Sequence, residues 1–368
     1  MKVGLDGTLC EFTRGLGVYV SELLPPLDKL NGKENIEITV FVFDSPKVKE
    51  LERQFSLKFV KVPKVPTPIW EHFLFPIYAK RHKCNIVWHP YNVIGMFSCI
   101  FGLKVLVTIH DIMFMEFAYG NSVKLKLGNF YRKISSFFWR FSDATISVSD
   151  KTKNDLKLHY KIDSSFIPNS GGRLVNYNKE ISLLSSYGVD DCSYILHVGG
   201  VGPNKNTIRV LKAFINCESD KKLVVLGGTK QQFLDYISKE NSKLIPFLSN
   251  VVFPGFVDEE TLANFYNYCE FVIFPSLQEG FGLPIVEARS LKKALITSDR
   301  EPMSSLAGNA SILVDPESDS DLKKAIDKLI LNPLEQGVID RSYEDYLDNF
   351  SEPSIRKKIK NVLLEVGK

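Results

Sequence analysis

Short, continuously apolar runs recur along this chain, each too brief for a helix and each followed by a stretch with helical spacing. In the first half they cover 38–43, 86–88, 105–109 and 144–148, after an opening strand from Lys2 to Asp6. In the second half they cover 194–198, 222–226, 250–253, 271–274, 294–297 and 311–314. A strand with one wet face alternates polar and apolar residues, so an unbroken run points to burial on both faces, the condition of a parallel sheet covered by helices. The expected class is α/β, with two Rossmann-like domains in succession. A length of 368 residues lets each bury its own core. The turn-rich stretch from Ile167-Pro-Asn-Ser-Gly-Gly172 to about Asp191 reads as the linker, giving domains of 1–175 and 176–350. Residues 351–368 add a last helix, with Ile355, Ile359, Val362 and Leu363 at helical spacing. Ligands of doubly wound sheets bind beyond the carboxyl ends of the strands, so a cleft between the two domains is the expected site.

Composition removes several function classes. Hydrophobic residues make up 44% and charged residues 24%, an ordinary globular balance, and a net charge of +3 is too small to imply a nucleic-acid partner. The six cysteines, Cys10, Cys84, Cys99, Cys192, Cys217 and Cys269, have no C-x-x-C spacing, which suits reduced thiols in a cytoplasmic protein and disfavours a cysteine metal site. The start, Met1-Lys-Val-Gly-Leu-Asp6, enters a strand at once, so secretion is not indicated. The apolar stretch from Val93 to Ile109 is interrupted by Lys104 and two glycines and reads as loop or helix followed by strand, not as a membrane span.

The segment Ser276-Leu-Gln-Glu279-Gly280-Phe281-Gly282-Leu283-Pro284-Ile-Val-Glu287-Ala288 carries the most chemistry. Gly280 and Gly282 let backbone amides approach a ligand closely, and Pro284 suits a first helical turn, where its missing N–H is not needed. The amides there and the partial positive charge of the helix start favour an anion. Glu279 and Glu287 flank that cradle, and a carboxylate accepts paired bonds from vicinal hydroxyls. A sugar diphosphate, with a sugar at each end of an anion, fits both features. The string from Pro275 to Ala288 closely resembles the P-S-x-x-E-G-F-G-L-P-x-x-E-A signature of the retaining GT-B glycosyltransferases of family 4, which implies Glu279 on the donor sugar and Glu287 on the nucleotide ribose.

Other matches extend that resemblance, densest from Tyr194 to Pro316 and sparse before Leu106. His197-Val-Gly-Gly200-Val-Gly-Pro203-Asn204-Lys205-Asn206 resembles V-G-x-x-x-P-R-K-N, which implies Lys205 against the diphosphate with Asn206 beside the donor. Asn204 stands where arginine is common, and Gly200 where some members place another, so neutralisation falls to Lys205, backbone amides and Arg14. The loop Thr13-Arg14-Gly15-Leu16-Gly17 follows the first strand and, by resemblance, approaches the donor through Gly15 and Gly17, although the full dinucleotide glycine fingerprint is absent. His110, where the strand 105–109 ends beside Asp111, resembles the family's strand-end histidine near the donor sugar. Val257, in Phe253-Pro-Gly255-Phe256-Val257-Asp258, matches the segment whose backbone meets the nucleobase, and the stretch from Gly308 to Pro316 is a structural match.

The expected activity is therefore retaining transfer of a hexose from a nucleotide diphosphate sugar to a glycan or lipid-linked glycan acceptor in surface polysaccharide or lipopolysaccharide assembly. GDP-mannose is the favoured donor, since Gly199-Gly200 with Pro203 and Asn206 looks most like bacterial mannosyl-transferring members. No cofactor or obligatory metal is expected, because no Asp-x-Asp motif stands beside the proposed diphosphate site. A GT-B nucleotide-sugar hydrolase or epimerase, or a noncatalytic nucleotide-binding module, would use the same cradle. Between Ser122 and Phe141, Lys124, Lys126, Arg132, Lys133 and Arg140 alternate with Leu125, Leu127, Phe130, Tyr131, Phe137, Phe138, Trp139 and Phe141 without an acidic residue. This segment reads either as a peripheral contact with an anionic membrane leaflet or as an amphipathic core helix with a basic outer face.

Overall fold

The computed structural model describes residues 1–12, 15–98, 100–115, 123–189 and 193–368, with the backbone alone at 123–127. Arg14, Cys99, Cys192 and the side chains of Lys124, Leu125, Lys126 and Leu127 lie outside the described residues. The chain divides into two compact units, Met1–Asn169 with Glu352–Lys368, and Ser170–Ser351.

The first unit is built on a seven-stranded sheet, in which β1 (Lys2–Asp6), β2 (Glu37–Phe43), β3 (Lys58–Val62), β4 (Ile86–His89), β5 (Lys104–Ile109), β6 (Ala144–Ser147) and β7 (Ser165–Phe166) lie in the order β3-β2-β1-β4-β5-β6-β7. Every pairing is parallel. Val3, Leu5, Val105, Leu106, Val107 and Ile109 are fully buried, as a sheet covered on both faces requires. Trp70, Phe75, Val87, Ile94 and Trp139 belong to one core cluster, where each large side chain adds roughly 1.5–3 kcal/mol by leaving water. The terminal helix Glu352–Gly367 packs on Leu16–Leu30 in this unit, with Lys29 2.5 Å from Glu352 and Lys104 Nζ donating to the Val366 carbonyl at 2.7 Å.

The second unit has a six-stranded parallel sheet: β8 (Tyr194–Val198), β9 (Lys222–Leu226), β10 (Val251–Gly255), β11 (Phe271–Phe274), β12 (Ala294–Ser298) and β13 (Ser311–Val314), ordered β10-β9-β8-β11-β12-β13. Of its described helices three start at a side-chain cap, among them the following two. Ser318 accepts from the Asp321 amide ahead of Asp319–Leu331, and Thr229 forms a reciprocal cap with Gln232 ahead of Lys230–Asn241. Ile195, Val225, Ile273 and Ile296 put the middle of the sheet into its core.

In both sheets the chain winds outward on one side of the first strand and then crosses to the other side. The reversal falls between β1 and β4 in the first unit and between β8 and β11 in the second. Loops leaving adjacent strands at such a reversal diverge and open a crevice.

The helix Val123–Phe138 and the turn Trp139–Phe141 show an inverted amphipathicity. Ser135, Ser136 and Trp139 face inward, while Phe130, Ile134, Phe137 and Phe141 are 64%, 47%, 52% and 52% exposed. Arg132, Lys133 and Arg140 are exposed with them, the Arg140 guanidinium 4.0 Å over the Phe137 ring. The large apolar side chains of this face therefore lie outside the core. Among the described residues no helix is long and apolar enough to cross a membrane.

Candidate active site

At the reversal of the second unit, β8 and β11 run side by side, so the loops that leave them meet despite their distance in sequence. The loop after β8 ends in a tight turn, Pro203–Lys205, with Asn206 in the left-handed region at φ 60° before the helix Thr207–Ile215. The loop after β11 carries Ser276 and Glu279 into the glycine turn. Lys205 Nζ donates to Glu279 Oε1 at 2.6 Å, and the Ser276 hydroxyl donates to the same oxygen at 2.5 Å. The Leu277 amide donates to the Asn204 carbonyl at 2.8 Å and fixes the register of the two loops, and the single Ser276 proton is shared between Glu279 and that carbonyl, 2.9 Å away. The Lys205 and Glu279 side chains are 29% and 14% exposed, so the pair is accessible. Placing Lys205 on Glu279 removes the repulsion that a bare carboxylate would exert on a phosphate.

Beyond Glu279, Gly282 adopts φ 125°, which a side chain would resist, and leads into the helix Leu283–Ser290 with Pro284 in its first turn. Phe281 is buried beneath this turn, and Gly280 and Leu283 are partly exposed above it. Glu287 is placed differently. Its side chain is 3% exposed and both oxygens are engaged, Oε1 by Arg173 Nη2 at 2.8 Å and Oε2 by the Tyr266 hydroxyl at 2.8 Å. Burial and the neighbouring Glu287 carboxylate push the Tyr266 phenol well above its usual range, so it stays a donor. Asn206 is likewise buried, and its amide donates to the carbonyls of Pro275 at 3.0 Å and Pro316 at 2.6 Å, tying three loops together. Val257 is partly exposed on the loop that enters the helix Glu259–Tyr268.

His197 supports this floor from within β8. Its Nδ1 donates to the Ile273 carbonyl at 2.8 Å, because a carbonyl can only accept, and its Nε2 meets the Thr207 hydroxyl at 3.0 Å. Burial pushes the imidazole down to about 4, which keeps it neutral, while the Thr207 hydroxyl beside Nε2 donates to the Gly200 carbonyl at 3.0 Å. A Cβ on Gly199 would stand 2.1 Å from Nε2, so the glycine is there to admit the ring.

The first unit carries the remaining expected residues. Gly15 sits at φ 53° ahead of the helix Leu16–Leu30, and a Cβ on Gly17 would lie 2.3 Å from the Phe12 carbonyl, so close backbone approach requires that glycine. His110 is buried. Its Nε2 donates to the Pro90 carbonyl at 2.8 Å, its backbone amide donates to Asn92 at 2.7 Å, and Tyr19 packs edge-on at 4.6 Å. Burial lowers its pKa.

Two buried carboxyl groups of the first unit escaped the sequence reading. Asp6, at the end of β1, accepts from the Thr8 amide at 3.1 Å, the Thr8 hydroxyl at 2.7 Å, Trp70 Nε1 at 2.9 Å and the Tyr91 hydroxyl. Glu71, on the π-helical turn Trp70–Leu74, accepts from the Tyr131 hydroxyl at 2.6 Å, and that hydroxyl lies 2.9 Å from His72 Nε2. Burial, reinforced by nearby Asp6, pushes the Glu71 carboxyl up to about 8. A rule that inspects every strand end beside the reversal would have flagged Asp6; no motif spacing marks Glu71.

The family profile described as "Glycosyl transferases group 1" matches residues 187–345, and that described as "Glycosyltransferase Family 4" matches residues 13–170. The chain belongs to the family 4, group 1 glycosyltransferases. Within this family it is similar to the serotype-specific mannosyltransferase WbdA of Escherichia coli, at 24% identity over 51% of this chain and 24% of that protein. It is also similar to the O-antigen chain mannosyltransferase RfbU of Salmonella typhimurium, at 24% identity over 70% of this chain and 69% of that one. The chain spans about a quarter to about half the length of the first curated relatives it matches, 24% of WbdA and 56% of a Methanocaldococcus jannaschii glycosyltransferase. Among solved structures, Anabaena HepE in complex with UDP-glucose superposes with a TM-score of 0.73 at 16% identity, covering 99% of each chain, which shows the GT-B fold.

Proposed function

We propose that this chain transfers a hexose, with mannose from GDP-mannose as the favoured case, onto a glycan or lipid-linked glycan acceptor in surface polysaccharide assembly. One observation carries the reading: the accessible Lys205–Glu279 pair at the strand-order reversal, beside the Gly280–Gly282 turn and the start of a helix. A sugar diphosphate matches it group for group. Lys205 turns from the carboxylate to the diphosphate, where its charge counts for more as the leaving group gains charge. Glu279 exchanges the ammonium for hydroxyls of the donor sugar, and the amides near Gly282 and Leu283 take phosphate oxygens. The bond from the anomeric carbon to the phosphate oxygen breaks and a bond to the acceptor oxygen forms on the same face. The acceptor's proton passes to the leaving phosphate. Val257 meets the base. Lys205 and the amides supply the positive charge, so no metal is obligatory.

The mannosyl assignment is supported by the similarity to the mannosyltransferases WbdA and RfbU, and the nucleotide-sugar class by the likeness to HepE, which was solved with UDP-glucose. Association with an anionic inner leaflet is supported by the exposed stripe of Phe130, Ile134, Phe137 and Phe141 flanked by Arg132, Lys133 and Arg140. Aromatic side chains add apolar area in the interface, and each basic residue about 1 kcal/mol near such a surface.

A thermal-shift panel of GDP-mannose, dTDP-rhamnose, UDP-glucose, UDP-GlcNAc and free nucleotides tests the donor. GDP-mannose and GDP should raise the melting temperature, and NMR of the product should show the donor's anomeric configuration kept. Stabilisation by uridine nucleotides alone would overturn the donor assignment, and inversion would overturn the mechanism. Release of free sugar at the same rate with and without a glycan acceptor would indicate a hydrolase.

A further inference from the structure

Arg173 enters the second unit on a short turn, Gly172–Leu174, that lies directly on the helix Leu283–Ser290. Gly171, at φ +61°, makes that approach feasible: a Cβ there would stand 2.6 Å from Val286 Cγ2 and 2.9 Å from the Glu287 amide nitrogen. From this turn one guanidinium spans two carboxylates. Nη2 donates to Glu287 Oε1 at 2.8 Å and Nη1 donates to Glu259 Oε1 at 2.6 Å. Each carboxylate has a phenol on its second oxygen, Tyr266 on Glu287 at 2.8 Å and Tyr177 on Glu259 at 3.2 Å.

The two carboxylates differ in access. The Glu287 side chain is 3% exposed and that of Glu259 is 31% exposed, with Arg173 between them at 15%. A ligand arriving from solvent therefore meets Glu259 first. Each engaged oxygen keeps a further lone pair, so both carboxylates can still accept from hydroxyls. Without the guanidinium the two negative charges would repel and splay. A planar fork holds both in one geometry, which a lysine ammonium cannot copy.

We propose that Arg173 is a positioning residue that sets Glu259 and Glu287 as paired acceptors for the vicinal hydroxyls of a nucleoside diphosphate, with Glu259 the member that contacts the ligand from solvent. This inference rests on the nucleotide-sugar reading of the same unit. It assigns recognition of the ribose diol to three side chains brought from a turn and two helices, where the signature segment offers Glu287 alone.

The test is calorimetric titration of the full chain with GDP, UDP and ADP and with their 2′,3′-dideoxy forms. Wild type should prefer the diol form of the nucleotide it binds by at least about tenfold, the scale of hydrogen bonds to charged groups. Arg173→Gln and Arg173→Lys should bring the two forms to within about twofold of each other, and Glu259→Gln should reduce the preference several-fold with dideoxy binding kept. Equal weakening of both forms by Arg173→Gln, with the ratio intact, would show a purely structural role and overturn the proposal. Should that variant fail to fold, Glu259→Gln decides, since an unchanged preference there overturns it equally. A wild type that binds a nucleotide without preferring the diol overturns this inference and leaves the donor-site reading standing; one that binds none of the three overturns both.

Discussion

In the second unit the ends of β8 and β11 bring Lys205 and Glu279 to 2.6 Å with both side chains partly exposed, whereas in the first unit the ends of β1 and β4 bring Asp6 and Tyr91 together in the buried interior. The topology is the same in both places, a reversal of strand order beside the first strand. The chemistry is not. Glu279 is balanced by the partly exposed ammonium of Lys205, while Asp6 is held by a backbone amide, a hydroxyl, an indole and a phenol, all in the core. A fold thus decides where a crevice can open, and the compensation of the charges there decides whether it can exchange partners. An exchangeable pair suits a ligand; a carboxylate saturated by fixed donors suits the integrity of the strand ends.

That contrast is broken most directly by two variants measured side by side. Glu279→Ala should lower transfer by ~10²-fold or more, the scale of a lost transition-state contact, with unfolding free energy changed by less than about 1 kcal/mol, as for a partly exposed pair. Asp6→Asn should do the opposite. It turns an acceptor oxygen into a donor facing Trp70 or Tyr91, and a buried unsatisfied group costs about 1–3 kcal/mol of stability. Kinetics and chemical denaturation of both proteins check this; full transfer activity in Glu279→Ala, or unchanged stability in Asp6→Asn, reverses the roles assigned to the two reversals.

The same contrast shows how far the sequence was legible. The apolar runs located the buried strands of both sheets, because burial on two faces leaves an unbroken signature. The edges of the first sheet were silent, although those of the second, β10 and β13, were found. β3 has lysines at both 58 and 61 and one buried residue among five, and β7 is two residues long. At the candidate site, Lys205 and Glu279 were legible because a loop that cradles an anion needs glycine, proline and charge at fixed spacing. Arg173 was not, since it lies in a glycine turn that reads as linker, and its two partners come from separate helices. Glu71 was hidden for a different reason: its burial follows from a π-helical turn between Pro68 and Pro76, which no helical or strand period encodes.

Titration separates the units more finely. The Glu71 carboxyl of the first unit is pushed up to about 8 from 4.5, so the folded state holds a proton that the unfolded chain releases. Its stabilising contribution is complete below pH 4.5 and is lost as pH rises through about 8. His197 of the second unit is pushed down to about 4 from 6.5, so its contribution is present above pH 6.5 and is lost as pH falls towards about 4. Glu71→Gln should therefore flatten the alkaline limb of a stability profile, and His197→Asn the acid limb. Denaturant midpoints measured from pH 4 to 9 check both, and an alkaline limb unchanged in Glu71→Gln would mean that the carboxyl is ionised in the folded protein.

The smallest effect concerns exposed apolar surface, which both units have but arrange differently. In the second unit Phe247 and Leu331, 60% and 76% exposed, lie on separate helices. In the first, Phe130, Ile134, Phe137 and Phe141 follow helical spacing on one segment among basic residues, with small serines turned inward. If that stripe meets a leaflet, Phe130→Ser with Phe137→Ser should weaken co-sedimentation with anionic liposomes several-fold, and Leu331→Ser should not. Stability should hardly move in either, since substitutions at exposed positions stay within about 0.5 kcal/mol. Raising salt should weaken binding of wild type by screening Arg132, Lys133 and Arg140 over roughly 10 Å, yet leave part of it, because the aromatic contribution is not electrostatic. Binding that survives the double substitution unchanged would move the contact away from this helix.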